Sequence, residues 1–324
     1  MEEFKPIEFH RTRDFGSKVS TTFEFFKQNF KPLVKSLLAI AGPAVLIGSI
    51  FLGMFMSDFM SQAMNMQQNP EERLRYFSSG AFWLRMSMIY VFLFVSYTVT
   101  LATINGYADL YYRKKSNDIS LSEVWEVVSV LMWKYLGSLL LILICSFAYM
   151  FIVVAVAIVL KMASTGLMVL WILAAVAGFI YVVVGGGLLF FIQAHEGLGF
   201  FEAAGRSLSL VKGKWWSTFG IAFVMSLIGG VISYIFIIPY YIVIFVSSLH
   251  AVQGGKPEFS ESMTTATYAF FTLYYMAQML LQTLPQLGLV FQYFNLVERR
   301  EAKGLIGDID QFGTDRGHER TETF

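Results

Sequence analysis

Six separate stretches of this chain contain no Asp, Glu, Lys, Arg or His: residues 36–57, 86–108, 135–160, 166–194, 217–249 and 268–297. An α-helix needs ~20 mostly apolar residues to cross a bilayer's hydrocarbon layer. In lipid a backbone amide has no partner except its own chain, so a spanning run of this kind must be helical. The pattern predicts an all-α integral membrane protein with spans near 33–56, 86–110, 135–160, 166–193, 217–249 and 268–296. The fifth run is longer than a crossing needs and holds Gly229, Gly230 and Pro239, so a tilt, kink or break is expected there. Charged residues are 15% of the 324, against about 25% in soluble domains.

Six crossings divide the cations unevenly. Nineteen of the 24 Lys and Arg fall on one side, leaving Arg73, Arg75, Arg85, Lys161 and Lys256 on the other. The cation-rich side is expected to be cytoplasmic, with both termini there, in the inner membrane of a bacterium. Residues 57–85, rich in Met and Gln and interrupted by Pro70, make the largest outer loop, with a short helix expected. The other outer connections, near 161–165 and 250–267, are shorter. Residues 301–324 form a polar cytoplasmic tail, expected to be disordered over its last dozen positions. A net charge of +1 offers no basic surface for nucleic acid. Cys145 is the sole cysteine, which rules out an intrachain disulfide and any zinc site built on two or more cysteines.

The stretch "RSLSLVKGKWWSTFG", residues 206–220, places cations and two tryptophans directly before the fifth run. Phe201, Ala204, Leu208, Val211 and Trp215 recur at three- and four-residue steps, one face of a helix. Such a helix suits the membrane surface, with Arg206, Lys212 and Lys214 toward anionic headgroups and Trp215 and Trp216 at the boundary. Similar stripes precede the first span (Phe15, Val19, Phe23, Phe26, Phe30, closed by Lys31) and the third (Leu121, Val124, Trp125, Val128, Met132, closed by Lys134). The expected architecture is three interfacial helices, about 14–30, 120–134 and 199–215, each followed by a transmembrane hairpin.

Signatures of catalysis are missing. "HEGLG" at 195–199 has Gly199 where a zinc-binding helix needs its second His, and no nucleophile elbow or phosphate loop is present. His195 and Glu196 are expected to be solvated or paired at the inner interface. Asp109 is expected to pair with Arg113, one helical turn on. Gly185, Gly186 and Gly187 suit close helix packing. The chain is expected not to be an enzyme, and no cofactor is implied. The main polar feature within a span is Gln278, Gln282 and Gln286, a four-residue repeat flanking Pro285. Two readings stay open: hydrogen bonds between helices, or one wall of a cavity for a lipid headgroup or small solute. In the second reading Ser96, Thr100 and Thr103 supply the opposite wall.

Glu202-Ala203, Arg206-Ser207, Leu210, Lys212-Gly213, Trp216 and Phe219-Gly220 resemble the "EA..RS..L.KG..W..FG" signature of a bacterial membrane family. That family includes the membrane domain of glycerophosphoryl diester phosphodiesterases and YciC-like uncharacterised membrane proteins. The ending "YFNLVERREAKGL", residues 293–305, resembles their close. The resemblance covers residues 196–300 most clearly and implies a six-helix inner-membrane protein. Phosphodiesterase activity is not carried over, because the sequence leaves no room for the soluble domain that holds it. The expected function is a non-enzymatic scaffold or accessory subunit of a membrane complex, with membrane lipids and other membrane proteins as partners. The alternative is binding or transport of a lipid or small solute.

Overall fold

The computed structural model describes residues 5–68, 70–252 and 261–302, with side chains left out at 57, 60–68, 243–244, 247–248, 250–252 and 261–264. Residues 253–260 of the outer connection 250–267 and the tail from 303 onward lie outside the described residues. All regular structure in the described part is helical. Among the described residues, five stretches are long and apolar enough to cross a membrane: Phe30–Met56, Gly80–Lys114, Leu121–Ala163, Thr165–His195 and Trp215–Ile242.

Prolines lie at several of the helix breaks. Helices α1 (Phe15–Gln28) and α2 (Phe30–Ser36) part at Asn29, where Pro32 cannot donate to the carbonyl of Gln28. Ahead of Pro43 the chain widens into a π-helical turn, Leu37–Ala41, in which the Gly42 amide donates to Leu37. It then continues as α3 (Gly42–Gln68), and the expected short outer helix is α4 (Pro70–Ser78). Helix α5 (Gly80–Lys114) follows. The same device divides the sixth run. Helix α11 (Glu261–Leu281) and helix α12 (Thr283–Glu301) meet at Gln282, because Pro285 leaves the Leu281 carbonyl without its helical donor. The sixth run is therefore two helices, and α11 is rich in Thr and Tyr, so neither piece reaches the apolar length of the other five.

Two further expectations change. Helix α6 (Leu121–Ala163) is one continuous helix of 43 residues, about 65 Å long. No separate interfacial helix exists at 120–134, since no proline or turn interrupts the chain before Ala163. Helix α10 (Trp215–Val252) passes through Gly229, Gly230 and Pro239 without a break. Gly229 serves close packing there, as a Cβ would sit 3.3 Å from the Leu281 carbonyl oxygen of α11.

The remaining elements are α7 (Thr165–Gly185), α8 (Leu189–His195) and α9 (Phe200–Val211). The main core gathers at the end of the bundle where α9 lies. There Phe9, ahead of α1, packs its ring against Phe294 and Phe291 of α12 at 4.8 and 5.3 Å between centroids. Phe25, Tyr107, Tyr111 and Ile192 are buried in the same cluster. Away from that end, the α6–α7 hairpin is almost bare. The buried residues of α6 are Val124, Val128, Leu131, Tyr135 and Ser138, with none beyond. The most apolar 18-residue windows of α6 and of Thr165–His195 are 0% and 6% buried.

Candidate functional site

Side-chain hydrogen bonds tie the two arms of the hairpin to each other. The Tyr149 hydroxyl donates to the Ala175 carbonyl at 2.6 Å, and the Trp171 indole N–H donates to Val153 at 3.0 Å. The hairpin rejoins the bundle at the glycine turn after α7. Ser207 of α9 braces that turn, accepting from the Leu188 amide at 3.3 Å and donating to the Gly185 carbonyl at 2.6 Å. The backbone groups that a helix break would orphan are thus satisfied. Trp215 adds a second tie, its ring stacked on Tyr181 and its N–H donating to the Tyr181 carbonyl at 3.1 Å.

Between hairpin and bundle lies a crevice of about 580 Å³. Its walls come from Leu139–Tyr149 of α6, Gly178–Gly187 at the end of α7, Phe200, Ala204 and Leu208 of α9, Tyr97 of α5 and Gln286 of α12. Among the described residues no Asp, Glu, Lys, Arg or His lines it. The glycine run divides its roles. A Cβ on Gly185 would collide with Leu208 at 2.6 Å, which is the expected close packing, whereas Gly186 and Gly187 border the open space.

The glutamine stripe does not form one wall. Gln286 lines the crevice, Gln282 sits at the helix break, and Gln278 has a buried Oε1 with no hydrogen-bond partner among the described residues. Ser96, Thr100 and Thr103 do not oppose it either. All three are buried, and each hydroxyl donates back to its own helix, at Phe92, Ser96 and Val99 respectively. Ser96 also reaches Ala44 of α3 at 2.8 Å. Thr100 borders a void of about 20 Å³ beside Met276 and Met279, room for roughly one water.

The surface residues also divide. Lys31, Lys212, Lys214 and Trp216 are exposed. Arg206, Lys134 and Trp215 are engaged within the protein instead. The Arg206 Nε bonds Glu196 Oε1 at 3.2 Å, and its terminal nitrogen bonds Glu301. Glu196 also accepts from the Tyr293 hydroxyl at 2.6 Å. Lys134 donates to the carbonyls of Gly197 and Gln193 at 2.7 and 3.2 Å, where the end of α8 leaves carbonyls without helical donors. Asp109 pairs with Arg113 at 2.8 Å, as its spacing predicts, and also with His195 Nδ1 at 2.7 Å.

Two buried cations, Arg13 and Lys18, were not anticipated. Lys18 of α1 is 2% exposed, and its Nζ donates to Ser217 Oγ of α10 and Gln292 Oε1 of α12, both at 2.7 Å. Gln292 in turn donates to Thr218 at 2.9 Å. Nearby, the Arg13 amide donates to Asn295 at 2.8 Å. Gln292 and Asn295 are polar, buried and three residues apart on α12. That spacing was the available sign that a partner segment packs there. Burial lowers the Lys18 pKa to about 8, the charges of Arg299 and Lys214 push the same way, and Asp14 opposes them.

No family model, curated protein or solved structure matches this chain. The signature in residues 202–220 can therefore be read only through what its residues do here. Glu202 accepts from the Gly199 amide at the start of α9, and Ala203 and Leu210 are fully buried. Arg206 and Ser207 make the bonds given above. Gly213 turns the chain from α9 into α10 at φ +78°, where a side chain is strained. Gly220 admits the Phe15 ring, which a Cβ would meet at 3.2 Å. Gly213→Ala is expected to cost about 1 kcal/mol, read as a lower unfolding midpoint with the helical signal unchanged. An unchanged midpoint would mean that the turn relaxes without strain.

Proposed function

We propose that this is a non-enzymatic, six-span inner-membrane protein that holds a lipid in the crevice between its α6–α7 hairpin and its bundle. In this reading α11 and the start of α12 form the sixth, broken crossing, and both termini are cytoplasmic. The observation that carries the proposal is the crevice itself: about 580 Å³, free of charged side chains and walled on one side by a hairpin with almost no protein cover. That volume falls in the ~300–1,000 Å³ range of small-molecule sites.

Its depth in the membrane follows from the same end of the bundle. Phe15, Phe23 and Phe30 of the N-terminal stripe face outward, as do Phe201 and Trp216 at 76% and 77% exposure. They support a membrane-surface placement for α1 and α9. The crevice, roofed by α9, then lies in the inner leaflet. Exposed Lys31, Lys212 and Lys214 would meet anionic headgroups, each contributing ~1 kcal/mol. The resemblance over residues 196–300 fits the same six-helix frame. A second reading, an accessory subunit, draws on the same bare hairpin as a face for a partner helix.

Ala204→Trp separates the two, because it fills the crevice from the α9 side and leaves the outer hairpin untouched. Native mass spectrometry with lipidomics on gently extracted protein is expected to show one retained lipid class, lost in A204W. A protein without specific lipid, but with another subunit at fixed stoichiometry in both forms, would favour the accessory reading and sink the lipid site.

A further inference from the structure

We infer that the crevice takes an uncharged lipid carrying hydroxyl and carbonyl oxygens, a diacylglycerol-like glyceride, rather than an anionic phospholipid. This rests on the crevice being a lipid site and adds the class of lipid. Besides Tyr149, three hydroxyl- or amide-bearing side chains line the crevice: Tyr97, Ser146 and Gln286 come from three different helices. Among the described residues none of the three side chains has a hydrogen-bond partner, unlike Tyr149, which is satisfied by Ala175. Polar groups left unpaired in apolar surroundings are destabilising unless a ligand or water pairs them.

The set specifies what fits. Two hydroxyls and a carboxamide both donate and accept, which matches a neutral hydroxyl beside ester carbonyls. Nothing in the set neutralises a phosphate. Among the described residues no cation is part of the lining: Lys134 is committed to the end of α8 and Arg206 to Glu196 and Glu301, while Lys212 and Lys214 are exposed on the surface outside it. Bringing a phosphate into the crevice would strip its water without providing a counter-charge.

The test uses the full chain in phosphatidylcholine vesicles with a small fraction of one photoactivatable probe, either diacylglycerol or phosphatidylglycerol with the same diazirine-bearing chains. Labelled peptides are mapped by mass spectrometry. Diacylglycerol is expected to label the 139–149 and 178–190 regions several-fold more than phosphatidylglycerol does. Tyr97→Phe and Gln286→Leu should each lower that labelling about fivefold, the value of one neutral hydrogen bond. Should Gln286→Leu fail to fold, Ser146→Ala takes its place. Equal labelling by the two probes, or full labelling in Tyr97→Phe/Gln286→Leu, would overturn the class assignment and leave water as the partner of these groups. Labelling that survives Ala204→Trp would instead show that the crevice is not the lipid site at all.

Discussion

Arg206→Ala is expected to destabilise the fold by about 2 kcal/mol although the side chain is partly exposed. One guanidinium joins the turn after α8, through Glu196, to the last turn of α12, through Glu301. Glu196 is shared with Tyr293, itself 2% exposed. Truncation removes the cation that Glu196 and Glu301 share. Breaking a fully buried pair costs about 3–5 kcal/mol. The three side chains here are 28%, 21% and 27% exposed, so solvent screening brings the expectation to about 2 kcal/mol. Arg206→Lys should recover only part of it, because an ammonium cannot present the planar fork that reaches both acids. In a double-mutant cycle, Arg206→Ala/Glu196→Gln should lose less than the sum of the single changes. Additive losses in chemical denaturation would show that the triad is solvated and contributes little.

That result bears on what the signature around Arg206 is for. Its cations read from sequence as headgroup contacts, since a charge next to a long apolar run most often faces lipid phosphate. Three-dimensional structure moves Arg206 inward, because its carboxylate partners are 10 and 95 residues distant in sequence. Lys134 and Trp215 turn inward for the same reason: their acceptors are carbonyls freed or presented by other helices. No local pattern encodes such acceptors. Features that depend on one helix alone were legible: five of the apolar crossings, the break before α10 and the Asp109–Arg113 step. The continuity of α6 was not, since a stripe of apolar residues looks the same whether or not its helix continues into the membrane. The glutamine repeat had the right spacing for a shared face, but Pro285 and the packing of α11 divide its members. The crevice has no sequence signature, because it exists only where α5, α6, α7, α9 and α12 fail to fill the space between them.

Lys18 leads to the second large effect, a dependence of stability on alkaline pH. Its ammonium is buried against two neutral acceptors, and its pKa falls to about 8 in the folded protein. In the unfolded chain the same amine keeps a value near 10.5. Below pH 8 both states hold the proton, and the folded state bears the full cost of the buried charge. Between pH 8 and 10.5 the folded protein releases its proton while the unfolded chain retains it, so stability must rise across that window. The full span corresponds to about 3 kcal/mol as an upper bound. Deprotonation does not release α1. A neutral amine still has two N–H groups, enough for both Gln292 and Ser217. Lys18→Met removes the titrating group, leaving Gln292 Oε1 without its donor while Ser217 Oγ still accepts from Gln292 Nε2 at 3.5 Å, and its profile should lack the rise. The tyrosines and other lysines that titrate in this range are common to both proteins, so the wild-type minus variant difference isolates Lys18. Parallel unfolding profiles from pH 8 to 10.5, or a wild type that loses stability relative to K18M there, would show that water reaches the amine. The contact of α1 with α10 and α12 would then be a hydrated surface contact and not a buried pin.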